Sequence, residues 1–137
     1  MDSLERFVSA QARDYGTALA EIRSGHKRSH WMWYIFPQLQ GLGMSSTAQY
    51  YGIRGIEEAK RFIAHPMLGR NLREISGALL ELDINDPAAV MGWPDNLKLC
   101  SCMTLFEAAA PEEPVFSAVL DKFYGGERDS LTLEKLR

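Results

Sequence analysis

The sequence predicts an all-α fold: a compact multi-helical single domain over residues 1–137, with seven to nine short helices and the central ones buried by the rest. Three observations predict it. Apolar residues recur at helical spacing in nearly every segment. The segments break at Gly and Pro and leave connections of two to six residues. The one strand-like run, WMWYIF at 31–36, has no second run to pair with, and an isolated strand is not stable. A chain of 137 residues suits one domain. It buries roughly two-thirds of its unfolded surface and needs no metal or disulfide staple.

Each element has its own signal. Ser3 is placed to cap a first helix that runs through Arg23, with Arg6 where a capping box would need Glu. Phe7, Val8, Ala12, Tyr15, Leu19 and Ile22 form its stripe. Gly16 interrupts that stripe and offers a point of division into two helices, and Gly25 ends it. The run 31–36 reads as a short buried helix stopped by Pro37, and QGLG at 40–43 as a turn. Ser45 or Ser46 caps a short helix through Tyr51. A helix over 56–64 buries Ile56, Ala59, Phe62 and Ile63. Pro66 opens the next, through about Leu82, with Leu68, Leu72, Ile75, Leu79 and Leu82 as its stripe. Asp86 caps a brief helix, a longer one spans 95–109, and Pro114 opens another through Phe123. Asp129 or Ser130 caps a last turn holding Leu131, Leu133 and Leu136.

With 46% hydrophobic and 24% charged residues, the composition is that of a soluble globular protein, which excludes disorder, collagen and coiled coil. The longest unbroken apolar run has six residues, far short of a membrane span. The start, MDSLERF, lacks a basic segment followed by an apolar one, so no secretory signal is expected. Cys100 and Cys102 are one residue apart and close no useful loop. They read as reduced thiols in a cytoplasm, Cys102 as a small buried hydrophobe even with Lys98 four residues before it. Net charge is −3, unevenly placed: ten Lys and Arg face six Asp and Glu in 1–73, and five face twelve in 74–137. Such halves attract each other or give the surface two faces. The overall sign makes nucleic acid an unlikely partner.

The helix over 95–109 is the most informative for function. Leu97, Leu99, Cys100, Cys102, Met103, Leu105 and Phe106 make it apolar around most of its circumference, so it is expected to be buried. Yet Asp95, Lys98, Ser101 and Thr104 recur at steps of three and form a slanting polar stripe. Buried polar groups must find partners. The stripe is therefore either an internal hydrogen-bond network or the floor of a polar pocket in which Lys98 meets an anion.

Six of the fourteen aromatic residues fall within 31–51. Their rings could fill the core or stack on a planar ligand. Trp31 and Trp33 are about 200° apart on a helix, so one is expected in the core and the other toward a groove. Gln38 ends that segment as a free amide, and Gly41, Gly43 and Ser45 precede a helix start that could present backbone amides to an anion. The glycine run is neither GxGxxG nor a P-loop. Arg23, His26, Lys27, Arg28 and His30 read as a solvated basic connector or a weak phosphate site. His26 and His30 have zinc-pair spacing but no third ligand, so no metal is expected, and no cofactor either. His65, ahead of Pro66, reads as a turn residue, and no Ser-His-Asp order, nucleophile elbow or carboxylate pair is present.

The runs SHWMWYIFPQLQGLG, HPMLG, DNLKLCSCMTLF and FYGGERDSLTLEKL, in that order over nearly the whole chain, resemble the bacterial domain-of-unknown-function 1810 family, sometimes labelled "calpastatin". The resemblance implies a cytoplasmic multi-helical domain and brings no activity or catalytic residues. Members usually carry serine where this chain has Cys102, which argues against a cysteine nucleophile.

Three functions remain. One is a small-molecule site, anionic or nucleotide-like, with or without catalysis, between segment 30–51 and the stripe 95–104; its candidate residues are Trp31, Trp33, Gln38, Gly41, Gly43, Ser45, Asp95, Lys98, Ser101 and Thr104. The second is a non-catalytic interaction module whose acidic second half meets a basic partner. The third is weak nucleic-acid binding through 23–30. The sequence assigns no oligomeric state.

Overall fold

The computed structural model describes residues 4–137, so the expected cap Ser3 lies outside the described residues. Among these residues there are nine α-helices and no strand: α1 (Glu5–Arg23), α2 (Met32–Ile35), α3 (Ser46–Tyr51), α4 (Ile56–Ala64), α5 (Pro66–Leu80), α6 (Pro87–Met91), α7 (Asp95–Ala109), α8 (Pro114–Tyr124) and α9 (Ser130–Lys135). Side chains satisfy several helix starts. Ser45 Oγ accepts from Ala48 N, His65 Nδ1 from Met67 N and Leu68 N, Asp86 from Ala88 N, and Asp129 from Thr132 N. Proline occupies the first turn of α5, α6 and α8, where its missing N–H has no cost.

α4, α5, α7 and α8 close a ring: α5 packs on α4 and α8, and α7 packs on the same two. α1 covers α5, α2 sits between α1 and α3, and α6 and α9 lie on α7. A chain of aromatic rings ties the layers together. Phe7 meets Phe62 at 5.1 Å, Phe62 meets Phe106 at 5.3 Å, and Phe106 meets Phe116 at 5.9 Å between centroids.

Several expectations change in detail. α1 runs unbroken through Gly16, which is exposed with open space around it. An exposed helical glycine costs only about 1 kcal/mol, which the buried face of the helix offsets. Ala12, expected on the buried stripe, is exposed, and Ala18 is buried in its place. α7 is buried over Leu99, Cys102, Met103, Leu105 and Phe106, but Leu97 on its first turns is 55% exposed. In α9 it is Thr132 that is buried, while Leu131 and Leu133 face outward.

The oppositely charged halves meet each other. Lys27 pairs with Asp95 at 2.8 Å and Arg73 with Glu113 at 2.6 Å. The segment after Pro37 is held in place by two backbone hydrogen bonds, Gln40 N to Ile53 O (2.8 Å) and Ile53 N to Gln38 O (2.9 Å). Gly52 permits this approach, because a Cβ there would lie 2.6 Å from Gln40 Cα. The position of Gln38 is thereby fixed.

Candidate functional site

A cleft of about 550 Å³ opens where segment 38–43 meets the first half of α7 and the connection between α8 and α9. That volume suits a small organic molecule. Segment 38–43 contributes Gln38, Leu42 and Gly43. α7 and the residue before it contribute Pro94, Leu97, Lys98, Cys100 and Ser101. The α8–α9 end contributes Tyr124 and the run 127–131.

The electrostatics centre on Lys98. Its Nζ lies 3.4 Å from Asp95 Oδ1 and 5.2 Å from the centroid of the Trp33 ring. Asp95 is shared. Its Oδ2 stands 2.8 Å from Lys27 Nζ, whose side chain is only 8% exposed and which also lies 4.9 Å from the Trp31 centroid. Two ammonium groups thus share one carboxylate, and the more buried pair has the shorter contact. Lys98, a quarter exposed, keeps positive charge on the cleft wall.

Gln38 and Lys98 also border a small recess that reaches the core residues Met32 and Phe36, so they stand on the inner side of the cleft. Among the described residues no hydrogen bond holds the Gln38 side-chain amide. Most other polar groups of the wall are committed within the chain. Ser101 Oγ donates to Leu97 O (3.2 Å), and Tyr124 OH to Asn96 O (2.5 Å). Arg128 donates to both carboxylate oxygens of Glu107 and to Gly126 O. The Asp129 carboxylate accepts from Thr132 N (3.0 Å) and Thr132 Oγ1 (2.6 Å).

The thiols are not activated. Burial first, and then the nearby Asp129 carboxylate, push the Cys100 thiol up to about 11. Burial alone raises Cys102, which has no exposed surface, well above the usual thiol range. Among the described residues no group of three or more His, Cys, Asp or Glu could hold a metal ion.

The expected site residues divide into three groups. Gln38, Gly43, Lys98 and Ser101 meet in the cleft. Trp33 lines the inner recess, half-buried beneath the Lys98 ammonium, while Trp31 is buried and donates its indole N–H to Glu21 (3.0 Å). The other four have structural partners. Asp95 is the shared counter-ion. Thr104 Oγ1 donates to Cys100 O (2.8 Å) and accepts from Asp129 N (2.9 Å), which seats α9 on α7. Ser45 Oγ is engaged as the α3 cap, accepting from Ala48 N. Gly41, at φ +95°, faces Lys135 instead of the cleft.

Four of the five basic residues of segment 23–30, Arg23, His26, Arg28 and His30, are exposed, as in a solvated connector, and only the Lys27 side chain turns inward. The backbone of the segment wraps a carboxylate. Arg28 N, Ser29 N, Ser29 Oγ and Trp31 Nε1 all donate to Glu21. Burial would raise the Glu21 carboxyl, but these hydrogen bonds outweigh it and hold the group at about 2.

Sequence reasoning missed the third wall, Tyr124 and 127–131. A signal was present. Gly125 and Gly126, both at positive φ, end α8 and fold the chain back, so the segment capped by Asp129 must return to α7.

A family model described as "Protein of unknown function (DUF1810)" matches residues 1–136. Among solved structures the chain is similar to the conserved hypothetical protein Rv1873 from Mycobacterium tuberculosis, with 45% identity and a TM-score of 0.96, over 98% of this chain and 96% of that one. No curated protein matches the chain.

Proposed function

The chain belongs to the DUF1810 family, and on the geometry of its cleft we propose that it binds a small organic anion between segment 38–43 and α7. The observation that carries this reading is the sharing of Asp95 by Lys27 and Lys98, which leaves a positive charge on a concave wall beside an unengaged amide. A buried or half-buried ammonium without a full counter-charge is stabilised by an incoming anion. The role of Lys98 is attraction, and that of Gln38 is orientation. With both thiols held in the neutral form, the reading is one of binding, with no reaction assigned. The two free cysteines fit a reducing compartment, the cytoplasm. Among the described residues no helix is long and apolar enough to cross a membrane.

The test is thermal denaturation of the full chain with a panel of small carboxylates, inorganic phosphate and nucleotides. A ligand at about a hundred times its dissociation constant stabilises by about 2.7 kcal/mol. At least one anion should raise the melting temperature, and the rise should vanish in Lys98→Met. No rise with any anion, or the same rise in a folded Lys98→Met, contradicts the reading.

A second reading, an interaction module, draws on a different observation. Leu97 and Leu131 on the cleft wall, and Met44 and Trp93 next to wall residues in the chain, are exposed apolar side chains. The two readings part at Lys98→Met, which abolishes anion binding and leaves an apolar interface unchanged.

A further inference from the structure

Resting on the anion reading, we infer that the ligand is an amphiphilic monocarboxylate, with one anionic head and an apolar body, and not a nucleotide. The charge of the head is matched at Lys98. Lys98 and Gln38 stand on the inner side of the cleft with polar atoms available, while Ser101, Tyr124, Arg128 and Asp129 are committed to partners within the chain.

A nucleotide asks for more than this wall offers. Its base and ribose bring several donors and acceptors, each of which must exchange water for a protein partner or lose affinity. Its phosphates would bring at least two negative charges, where a monocarboxylate brings one, into a cleft whose lining already includes Glu127 and Asp129. The Trp33 ring, which borders the inner recess, is already covered by the Lys98 ammonium, and Tyr124, the aromatic side chain on the cleft wall, has its hydroxyl tied to Asn96 O.

An apolar body, by contrast, meets matching surface. Leu42 and Pro94 line the cleft, and Leu97 and Leu131 add two exposed leucine side chains to the same walls. Covering them removes apolar surface from water on both sides of the contact. The head supplies orientation through charge, and the body supplies affinity through area.

The experiment is calorimetric titration of the full chain at pH 7 with straight-chain carboxylates from butanoate to octanoate, with 1-octanol as the uncharged twin and AMP as the nucleotide probe. Each added methylene should tighten binding about fourfold while it is buried. 1-Octanol should bind at least tenfold more weakly than octanoate, and AMP more weakly than octanoate. Leu131→Asp, on an exposed helical position that the fold tolerates, should weaken octanoate about tenfold. An affinity that does not change with chain length overturns the inference. So does AMP binding as tightly as octanoate; if that binding is lost in Lys98→Met, the anion reading stands and only the ligand class falls. If neither the carboxylates nor AMP bind, the inference falls, and the anion reading falls with it when inorganic phosphate also fails to bind.

Discussion

Lys27 Nζ lies 2.8 Å from Asp95 Oδ2, and this largely buried pair sets how much of the carboxylate remains for Lys98 at 3.4 Å. The cleft therefore owes its charge to a residue that is not on its wall. Lys27 comes from the connector between α1 and α2, in the basic half of the chain, and Asp95 from the start of α7, in the acidic half.

Substitutions within this trio should move ligand affinity in opposite directions. In Lys27→Met, Asp95 belongs to Lys98 alone, and octanoate should bind several-fold more weakly. In Asp95→Asn, Lys98 loses its counter-ion, and octanoate should bind several-fold more tightly. The second variant also removes the carboxylate paired with the largely buried Lys27, which keeps its hydrogen bond to Ser29 O, so its stability should fall by about 3 kcal/mol. Calorimetric titration beside denaturant melts reads both effects. Weaker binding in a folded Asp95→Asn would contradict the account.

Phe106 ties the ring of helices together, touching Phe62 of α4 and Phe116 of α8 with no surface exposed. Phe106→Ala should cost about 3–5 kcal/mol of stability in urea denaturation. A loss below about 1 kcal/mol would show that α7 is not the central helix.

Glu21 gives the fold a specific acid limit. Its carboxyl is held at about 2 against an ordinary 4.5, so the charged form is favoured by folding. The stability it contributes is fully present above pH 4.5 and is lost as pH falls toward 2. Glu21→Gln should flatten this limb of the stability profile and lower stability at pH 7 by at least about 2 kcal/mol. An unchanged acid limb in the variant would place the sensitivity elsewhere.

The cysteines should differ in reactivity. Cys100, partly exposed and pushed up to about 11, should react slowly with iodoacetamide at pH 7 and faster as pH rises toward that value. Cys102, fully enclosed, should react only on unfolding. Fast labelling of Cys100 at pH 7 would show an activated thiol.

The helices were legible because their signals are local. Ser45, Asp86 and Asp129 carry caps, Pro66, Pro87 and Pro114 open helices, and Ile56–Ala64 shows an unmistakable apolar face. Half of the cleft was legible as well, because Lys98 and Ser101 follow helical spacing and Gln38 follows a stop signal. The expectation that Trp31 and Trp33 point to different surroundings also holds: the first is buried, and the second lies beneath Lys98. What was not legible depends on distant partners. No local pattern shows that Lys27, in an apparently solvated run, is buried against Asp95, or that Thr104 binds the backbone of Asp129. Leu97 was misplaced because periodicity gives the direction of a face and not the depth of what covers it.

The central claim is that the Lys98–Gln38 side of the cleft receives an anion. Chemical-shift mapping of the isotope-labelled full chain during octanoate titration tests it most directly. The account predicts the largest changes at the Gln38 side-chain amide and at the methyl groups of Leu97 and Leu131, all three lost together in Lys98→Met. Changes confined to the basic segment 23–30, or no change at Gln38 at saturating octanoate, would contradict it.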